Sequence, residues 1–114
     1  ESIKKNIINS NYTNLKHFND NSFDFIYAAG VIYALNITDA IKCLKEINRI
    51  SKNNSFITLA SYKNHTDYWL FKNWTLLGTT ILLKKEWETI LNHVNYKGDY
   101  YFTNAQTLNL IEKV

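Results

Sequence analysis

Two short, continuous hydrophobic runs flank a stretch with helical periodicity. Residues 23–29 and 55–61 are apolar, of strand length and bounded by turn residues, which is typical of buried strands in parallel sheets. Between them, hydrophobic side chains recur at steps of three and four, with polar ones on the opposite face. We expect this helix to begin at an N-cap Thr38 and to end before residues 51–54. Its predicted inner face comprises Ile37, Ile41, Leu44, Ile47 and Ile50.

Strand, helix and strand in succession predict a right-handed βαβ unit. After this unit the pattern predicts a helix or lid at 63–75, a short strand at 79–83, a helix at 84–93 and a last strand at 99–102. The fold class is therefore α/β, with an open, mostly parallel sheet.

Ligands of an open parallel sheet bind beyond the carboxyl ends of its strands. The pattern therefore places a site at residues 28–30, after the first strand, and at 61–63, after the second. The small residues at 28–30 would let a ligand approach the backbone. The alternative is that they only allow close packing of helix against sheet.

The composition supports one globular domain over residues 1–114: hydrophobic residues make up 46% and charged residues 20% of the 114. The net charge of +3 is mild and scattered, and Arg49 is the single arginine, so no basic footprint for nucleic acid appears. No hydrophobic run reaches the roughly 18 residues of a membrane span, and no signal peptide opens the chain. We therefore expect a cytoplasmic protein without membrane association.

The cysteine, histidine and glycine residues argue against three kinds of site: a disulfide, a metal site and a phosphate-binding loop. The single Cys43 excludes an internal disulfide and is expected to be a buried bystander, and the three histidines lack metal-ligand spacing. The only glycines are Gly30, Gly78 and Gly98, too far apart to build a phosphate-binding loop.

Several motifs resemble class I S-adenosylmethionine-dependent methyltransferases. Asp20-Asn21-Ser22-Phe23-Asp24 matches the acidic stretch that opens the fourth strand of that family, and Gly30-Val31-Ile32-Tyr33 matches the segment after it. The helix segment 44–52 is similar to the family's next helix, although Asn53-Asn54 stand where the family usually has Pro-Gly-Gly. Trp74-Thr75-Leu76, Glu86-Trp87 and residues 96–100 are similar to late motifs of one subgroup.

The resemblance implies a partial three-layer, Rossmann-like, doubly wound fold whose N-terminal half is missing. The family's glycine-rich loop and the acidic residue that binds the ribose have no counterpart in this sequence. We therefore expect the C-terminal half of a methyltransferase domain, a fragment that binds S-adenosylmethionine weakly or not at all by itself.

The resemblance also assigns candidate site residues. Asn11 or Tyr12 falls where the family contacts the adenine, and Ala28, Gly30 and Tyr33 fall where it contacts the methionine and sulfonium end of the cofactor. The alternative for Tyr33 is a tyrosine packed at a helix start.

The implied reaction is direct displacement of a methyl group by a nucleophile of a small-molecule acceptor, with no metal. His65 follows the second predicted strand and is the candidate general base; the alternative is an exposed loop histidine. Trp69 and Trp74 are candidate walls of the acceptor pocket, with Tyr68 and Asp99 as candidate acceptor contacts.

Two other function classes remain open at this stage. One is a non-catalytic remnant or partner-binding α/β module that binds no cofactor. The other is a nicotinamide-dependent dehydrogenase half-domain, which fits the βαβ unit but not the motifs.

Overall fold

The computed structural model describes residues 12–75 and 78–110, which form a three-stranded, fully parallel sheet with order β1-β2-β3. In chain order the elements are a 3₁₀ helix at Tyr12–His17, β1 at Ile26–Ala28, a 3₁₀ turn at Ile32–Ala34, α1 at Ile37–Ile50, β2 at Ser55–Ala60, α2 at His65–Trp74, α3 at Lys84–His93 and β3 at Asp99–Thr103. Helical crossovers link the strands. This confirms the predicted α/β class and its partial Rossmann-like type.

The central strand β2 separates the two faces of the sheet, because successive side chains of a strand point to opposite sides. Ile57 and Leu59 point toward α1 and α3 and are fully buried with Trp87 of α3. Phe56 and Thr58 point the other way, and both are only partly buried. One face of the sheet therefore holds the main hydrophobic core.

The N-cap of helix α1 lies two residues earlier than predicted. The side chain of Asn36, not Thr38, accepts a hydrogen bond from the backbone N–H of Asp39 at 2.8 Å. Asparagine caps a helix at least as well as threonine, so the earlier residue takes the position. The buried face shifts with it: Ile37 is 47% exposed, and the buried residues are Ala40, Cys43, Leu44, Ile47 and Ile50.

Strand β1 is shorter than the predicted 23–29 because its partner strand starts late. Ile26 pairs with Ser55, so residues 23–25 lie opposite residues 52–54. Those residues form a turn in which Lys52 and Asn53 adopt positive φ and cannot continue a strand. Strand pairing at this edge is therefore limited to three residues.

The predicted strand at 79–83 is reduced to a single bridge. Leu82 pairs in parallel with Ser61, on the side of β2 that β1 leaves vacant beyond Ala28. The next residue, Leu83, is the N-cap of α3, and its N–H donates to Glu86 Oε1 at 2.9 Å. The extended segment therefore ends after one paired residue.

A second, smaller hydrophobic cluster lies at the carboxyl end of the sheet. Helix α2, which settles the helix-or-lid alternative as a helix, contributes Phe71, and the cluster also contains Tyr33, Ala60 and Ile81. Ala60 points to the same face as Phe56 and Thr58. Toward the amino end of that face, Tyr27 is 66% exposed and stacks on Phe56 with ring centroids 5.8 Å apart.

Arg49, the single arginine, joins the start of the described chain to α1. Its guanidinium donates to the carbonyl oxygens of Leu15 and Phe18 and forms ion pairs with Asp20 and Glu46. The planar guanidinium has five N–H donors and can contact several acceptors at once, which a lysine ammonium does less well. In the sequence, Arg49 lies on the polar face of the helical pattern, which does not indicate these long-range contacts.

Cys43 is buried in α1, and burial together with the charge of Glu46 raises the pKa of its thiol to about 12. At pH 8 roughly one thiol in ten thousand would be ionised, and the thiolate is the reactive form. We expect native protein to react with iodoacetamide at pH 8 far more slowly than protein in 8 M urea, measured by mass spectrometry. Equal rates in the two conditions would contradict the burial of this thiol.

Candidate functional site at the carboxyl edge

The loop after β1 makes a sharp turn at Gly30, whose φ is +72°. Positive φ is the left-handed region that glycine occupies without steric cost. The backbone N–H of Gly30 donates to the Oγ1 of Thr58 on β2 at 2.8 Å. The turn is thus tied to the central strand at the edge where open parallel sheets bind ligands.

Tyr33 lies directly beside this turn. Its hydroxyl oxygen is 3.6 Å from the point where a β-carbon on Gly30 would lie, and the residue is 9% exposed. Its ring packs edge-on against Phe71 at 5.6 Å between centroids. Burial raises the pKa of Tyr33, so the hydroxyl stays protonated at neutral pH and acts as a hydrogen-bond donor rather than a base.

The backbone of Tyr33 is held by a segment that is distant in sequence. Its carbonyl oxygen accepts hydrogen bonds from the backbone N–H groups of Thr79 and Thr80, at 2.7 and 2.9 Å. The hydroxyl of Thr80 donates to the carbonyl of Leu35 at 2.6 Å. Residues 79–82 therefore close one side of the carboxyl edge. The sequence predicts a short strand there but does not indicate that it borders the site.

The structure separates Ala28 from the other two candidates. Ala28 pairs with Ile57 and is buried in the main core, on the face covered by α1. Gly30 and Tyr33, in contrast, lie together at the open edge. The small side chain of Ala28 therefore packs in the main core, away from the open edge.

His65 is the first residue of α2 and is exposed. Among the described residues its side chain makes no hydrogen bond, ion pair or ring contact, including with Gly30 and Tyr33. The helix cap beside it is made by Asn64, whose side chain accepts from the N–H of Asp67 at 2.9 Å. His65 is thus accessible, but it is not oriented by a partner group.

The remaining candidates lie partly or wholly elsewhere. Asn11 is outside the described residues, and Tyr12 begins the 3₁₀ helix with its side chain outside them. Asp99 is the first residue of β3 and pairs with Phe56 at the amino end of the sheet, away from the carboxyl edge.

Aromatic side chains of α2 extend the surface beside Tyr33. Trp74, 52% exposed, packs against Phe71 at 5.7 Å, and Phe71 contacts Tyr33. Trp69, 56% exposed, packs edge-on against Tyr68. Trp74 is therefore linked to the Gly30 turn through two rings, and Trp69 reaches the same cluster through Tyr68, which packs against it.

Thr58 is the site residue that sequence reasoning missed. A signal existed, because Thr58 is a polar residue between the apolar Ile57 and Leu59 in the middle of the strand. Alternation places such a residue on the face opposite the main core. What no local pattern could show is that this face meets the Gly30 turn.

Residues 12–75 and 78–110 contain neither a cluster of metal-ligating side chains nor a membrane-length apolar helix. No three histidine, cysteine or acidic side chains come together there as a metal site. None of the helices in these stretches combines the length and hydropathy needed to cross a bilayer.

The fold and the edge geometry agree with a family comparison. The family model described as "Methyltransferase domain" matches residues 1–59, which is more than half of the 114-residue chain. The chain belongs to this methyltransferase domain family. The matched range includes Gly30, Tyr33 and Thr58 and ends before His65. Comparisons with curated proteins and with solved structures gave no match.

Gly30→Ala tests the backbone requirement at the turn. A β-carbon has room, with its nearest neighbour at 3.6 Å, but φ of +72° is unfavourable for alanine. We expect the free energy of unfolding to fall by about 1 kcal/mol, measured by urea denaturation. Ala29→Gly on the preceding exposed residue is the control, and a stabilising effect of Gly30→Ala would contradict the left-handed turn.

Proposed function

We propose that this protein is an S-adenosylmethionine-dependent methyltransferase that acts on a small-molecule acceptor. The observation that carries the proposal is the Gly30 turn, tied to Thr58 and bordered by Tyr33, at the carboxyl edge of the family-matched segment. This edge is where the doubly wound fold binds its ligand.

In this proposal Gly30 and Tyr33 face the methionine and sulfonium end of the cofactor, and Asn11 or Tyr12 faces its adenine. The bound cofactor supplies an electrophilic methyl group, which an acceptor nucleophile takes while the sulfur keeps the electron pair of the broken bond. Gly30 contributes a backbone surface without a side chain, so a ligand can approach it closely. Tyr33 contributes a neutral hydroxyl and a ring edge in a water-poor position.

The main role of the chain is then to align donor and acceptor and to exclude water. Alignment of two reactants alone contributes several kcal/mol to lowering a barrier. A base is needed only where the acceptor must lose a proton during transfer. For that case we assign the role to His65, which is accessible at the start of α2.

A small acceptor fits the surroundings of the edge better than a polyanion. The single arginine is engaged in contacts with Leu15, Phe18, Asp20 and Glu46. The side chains near Tyr33 are aromatic, namely Phe71 and Trp74. Aromatic walls with few polar groups are typical of small-molecule sites.

Glycine-selective ¹⁵N labelling tests cofactor binding directly, because the chain has only three glycines. We expect S-adenosylmethionine, titrated to millimolar concentration, to shift the amide resonance of Gly30. Binding is expected to be weak because this sequence contains no glycine-rich phosphate-type loop. Gly98, before β3 at the amino end of the sheet, is the internal control and should not shift.

Three outcomes have distinct meanings. A saturable Gly30 shift with S-adenosylmethionine but not with NADH supports the proposal. A shift with NADH alone would favour a dehydrogenase. No saturable shift with either ligand would overturn cofactor binding by this chain and favour a non-catalytic module.

The acceptor class is tested with a tritiated methyl donor. Incubation of the protein with the donor and a cell extract, followed by filtration, separates labelled small molecules from labelled macromolecules. We expect any label above that of a heat-denatured control to lie in the small-molecule fraction. Label confined to protein or nucleic acid would contradict the small-molecule acceptor.

A further inference from the structure

The turn that carries the proposed site depends on a residue of another strand. Pairing of β1 with β2 ends at Ala28, so the N–H of Gly30 lies beyond the sheet ladder. It finds its acceptor in the side chain of Thr58 at 2.8 Å, 28 residues away in sequence. The partner is a hydroxyl and not a backbone carbonyl, so the bond depends on the identity of one side chain.

Thr58 is placed for this contact by strand alternation. Its neighbours Ile57 and Leu59 point into the main core and are fully buried. Thr58 itself points to the opposite face and is partly exposed, next to the open edge. Its role is therefore separable from packing of the core, which its two neighbours provide.

Gly30 lies between the side chains of Thr58 and Tyr33 at the carboxyl edge. Thr58 Oγ1 holds the Gly30 N–H, and the space beside Gly30 is bounded by the hydroxyl of Tyr33. A change in the direction of the Gly30 peptide would change the distance between the turn and Tyr33. The hydroxyl of Thr58 thus fixes the Gly30 turn relative to Tyr33, which is held separately by Thr79, Thr80 and Phe71.

We propose that Thr58 is a positioning residue: its hydroxyl holds the Gly30 turn in the conformation that binds the cofactor. The inference rests on the proposed function for its ligand, but the hydrogen bond itself can be tested without any ligand. Thr58 does not contact the reacting atoms in this scheme, and it acts through Gly30.

The first experiment measures hydrogen exchange of the Gly30 amide in ligand-free protein. Thr58→Val keeps the shape of the side chain but removes the hydroxyl, and we expect Gly30 to exchange about three- to tenfold faster. Thr58→Ser restores the hydroxyl and should return the rate to near that of the wild type. Unchanged exchange in Thr58→Val would overturn the proposal.

The second experiment measures the Kd for S-adenosylmethionine from the Gly30 shift. We expect Thr58→Val to weaken binding roughly three- to tenfold, with recovery in Thr58→Ser. Thr103→Val on the neighbouring strand is the matched control, since Thr103 pairs with Ala60 and is likewise partly exposed. It should leave both the exchange rate of Gly30 and the Kd unchanged.

Failure of this inference and failure of the proposed function give different results. If wild type binds the cofactor and Thr58→Val binds equally well, Thr58 only stabilises the fold and the positioning role is wrong. If wild type shows no saturable shift, the proposed function fails and the positioning role fails with it. The exchange experiment still reports whether the Thr58 bond controls the turn.

Discussion

Trp87→Ala is expected to lower the free energy of unfolding by about 3–5 kcal/mol, the range for truncating a buried aromatic residue. Trp87 has no exposed surface and lies in the main core with Ile57 and Leu59 of the central strand. Natural domains of this size are stable by only about 5–15 kcal/mol. The variant should therefore lose a large share of its stability.

Trp87 also makes a directed contact that its volume alone does not describe. Its indole N–H donates to the carbonyl oxygen of Ala60 at 2.6 Å, and the same oxygen accepts from the N–H of Leu82 at 3.2 Å. Trp87→Phe keeps most of the ring volume and leaves Ala60 with one partner. We expect this variant to lose about 1–2 kcal/mol, less than the alanine variant.

Urea denaturation followed by far-ultraviolet circular dichroism measures both variants without relying on tryptophan fluorescence. Trp69→Ala is the matched control because Trp69 is 56% exposed, and we expect it to cost under about 1 kcal/mol. Equal losses for Trp69→Ala and Trp87→Ala would show that Trp87 is not the core residue described here.

Gly98→Ala is expected to have the second largest effect, about 1–3 kcal/mol of lost stability, typical of overpacking a tight site. A β-carbon at Gly98 would lie 2.5 Å from the carbonyl oxygen of Ser55 and 2.5 Å from the hydroxyl of Tyr96. It would also clash with the hydroxyl of Ser55. A backbone carbonyl cannot rotate away as a flexible side chain can, so β3 must shift relative to β2.

The clash falls on the contacts that set the start of β3. The hydroxyls of Ser55 and Tyr96 are 2.7 Å apart, and the Tyr96 hydroxyl donates to the carbonyl of Asp99 at 3.0 Å. We therefore expect faster hydrogen exchange at the β2–β3 amides as well as a lower urea midpoint. Lys97→Ala at the exposed neighbouring position is the control, and an equally small effect of both variants would contradict the close approach of Gly98 to Ser55.

Local pattern was sufficient for the order and type of the main elements. The period of the apolar residues identified α1, β2 and α3 close to their observed bounds, because that period depends only on which face of one element is buried. The exposed Ile37 and the Asn36 cap show the limit of this signal. Asn36 and Thr38 are both residues that can cap a helix, and the cap at Asn36 starts the helix two residues earlier than predicted.

The family, and some of the residues at the carboxyl edge of the sheet, could also be inferred from motifs in the sequence. The match over residues 1–59 agrees with the resemblance carried by residues 20–33. Gly30 and Tyr33 lie together at the carboxyl edge, whereas the side chain of Ala28 lies in the core. Motifs identify which loop forms the site, but the face to which each residue points depends on strand pairing.

The sequence by itself thus determined the α/β class, the βαβ unit and the loop that carries the proposed site. Only the tertiary structure decided the length of β1, the single bridge of Leu82, the contacts of Arg49 and the hydrogen bond from Gly30 to Thr58. The physical reason is the range of the interactions. Periodicity and capping act within a few residues, while the Gly30–Thr58 and Thr80–Leu35 bonds join residues 28 and 45 positions apart. Such contacts form only after the strands have paired in a particular order and register, which no local pattern specifies.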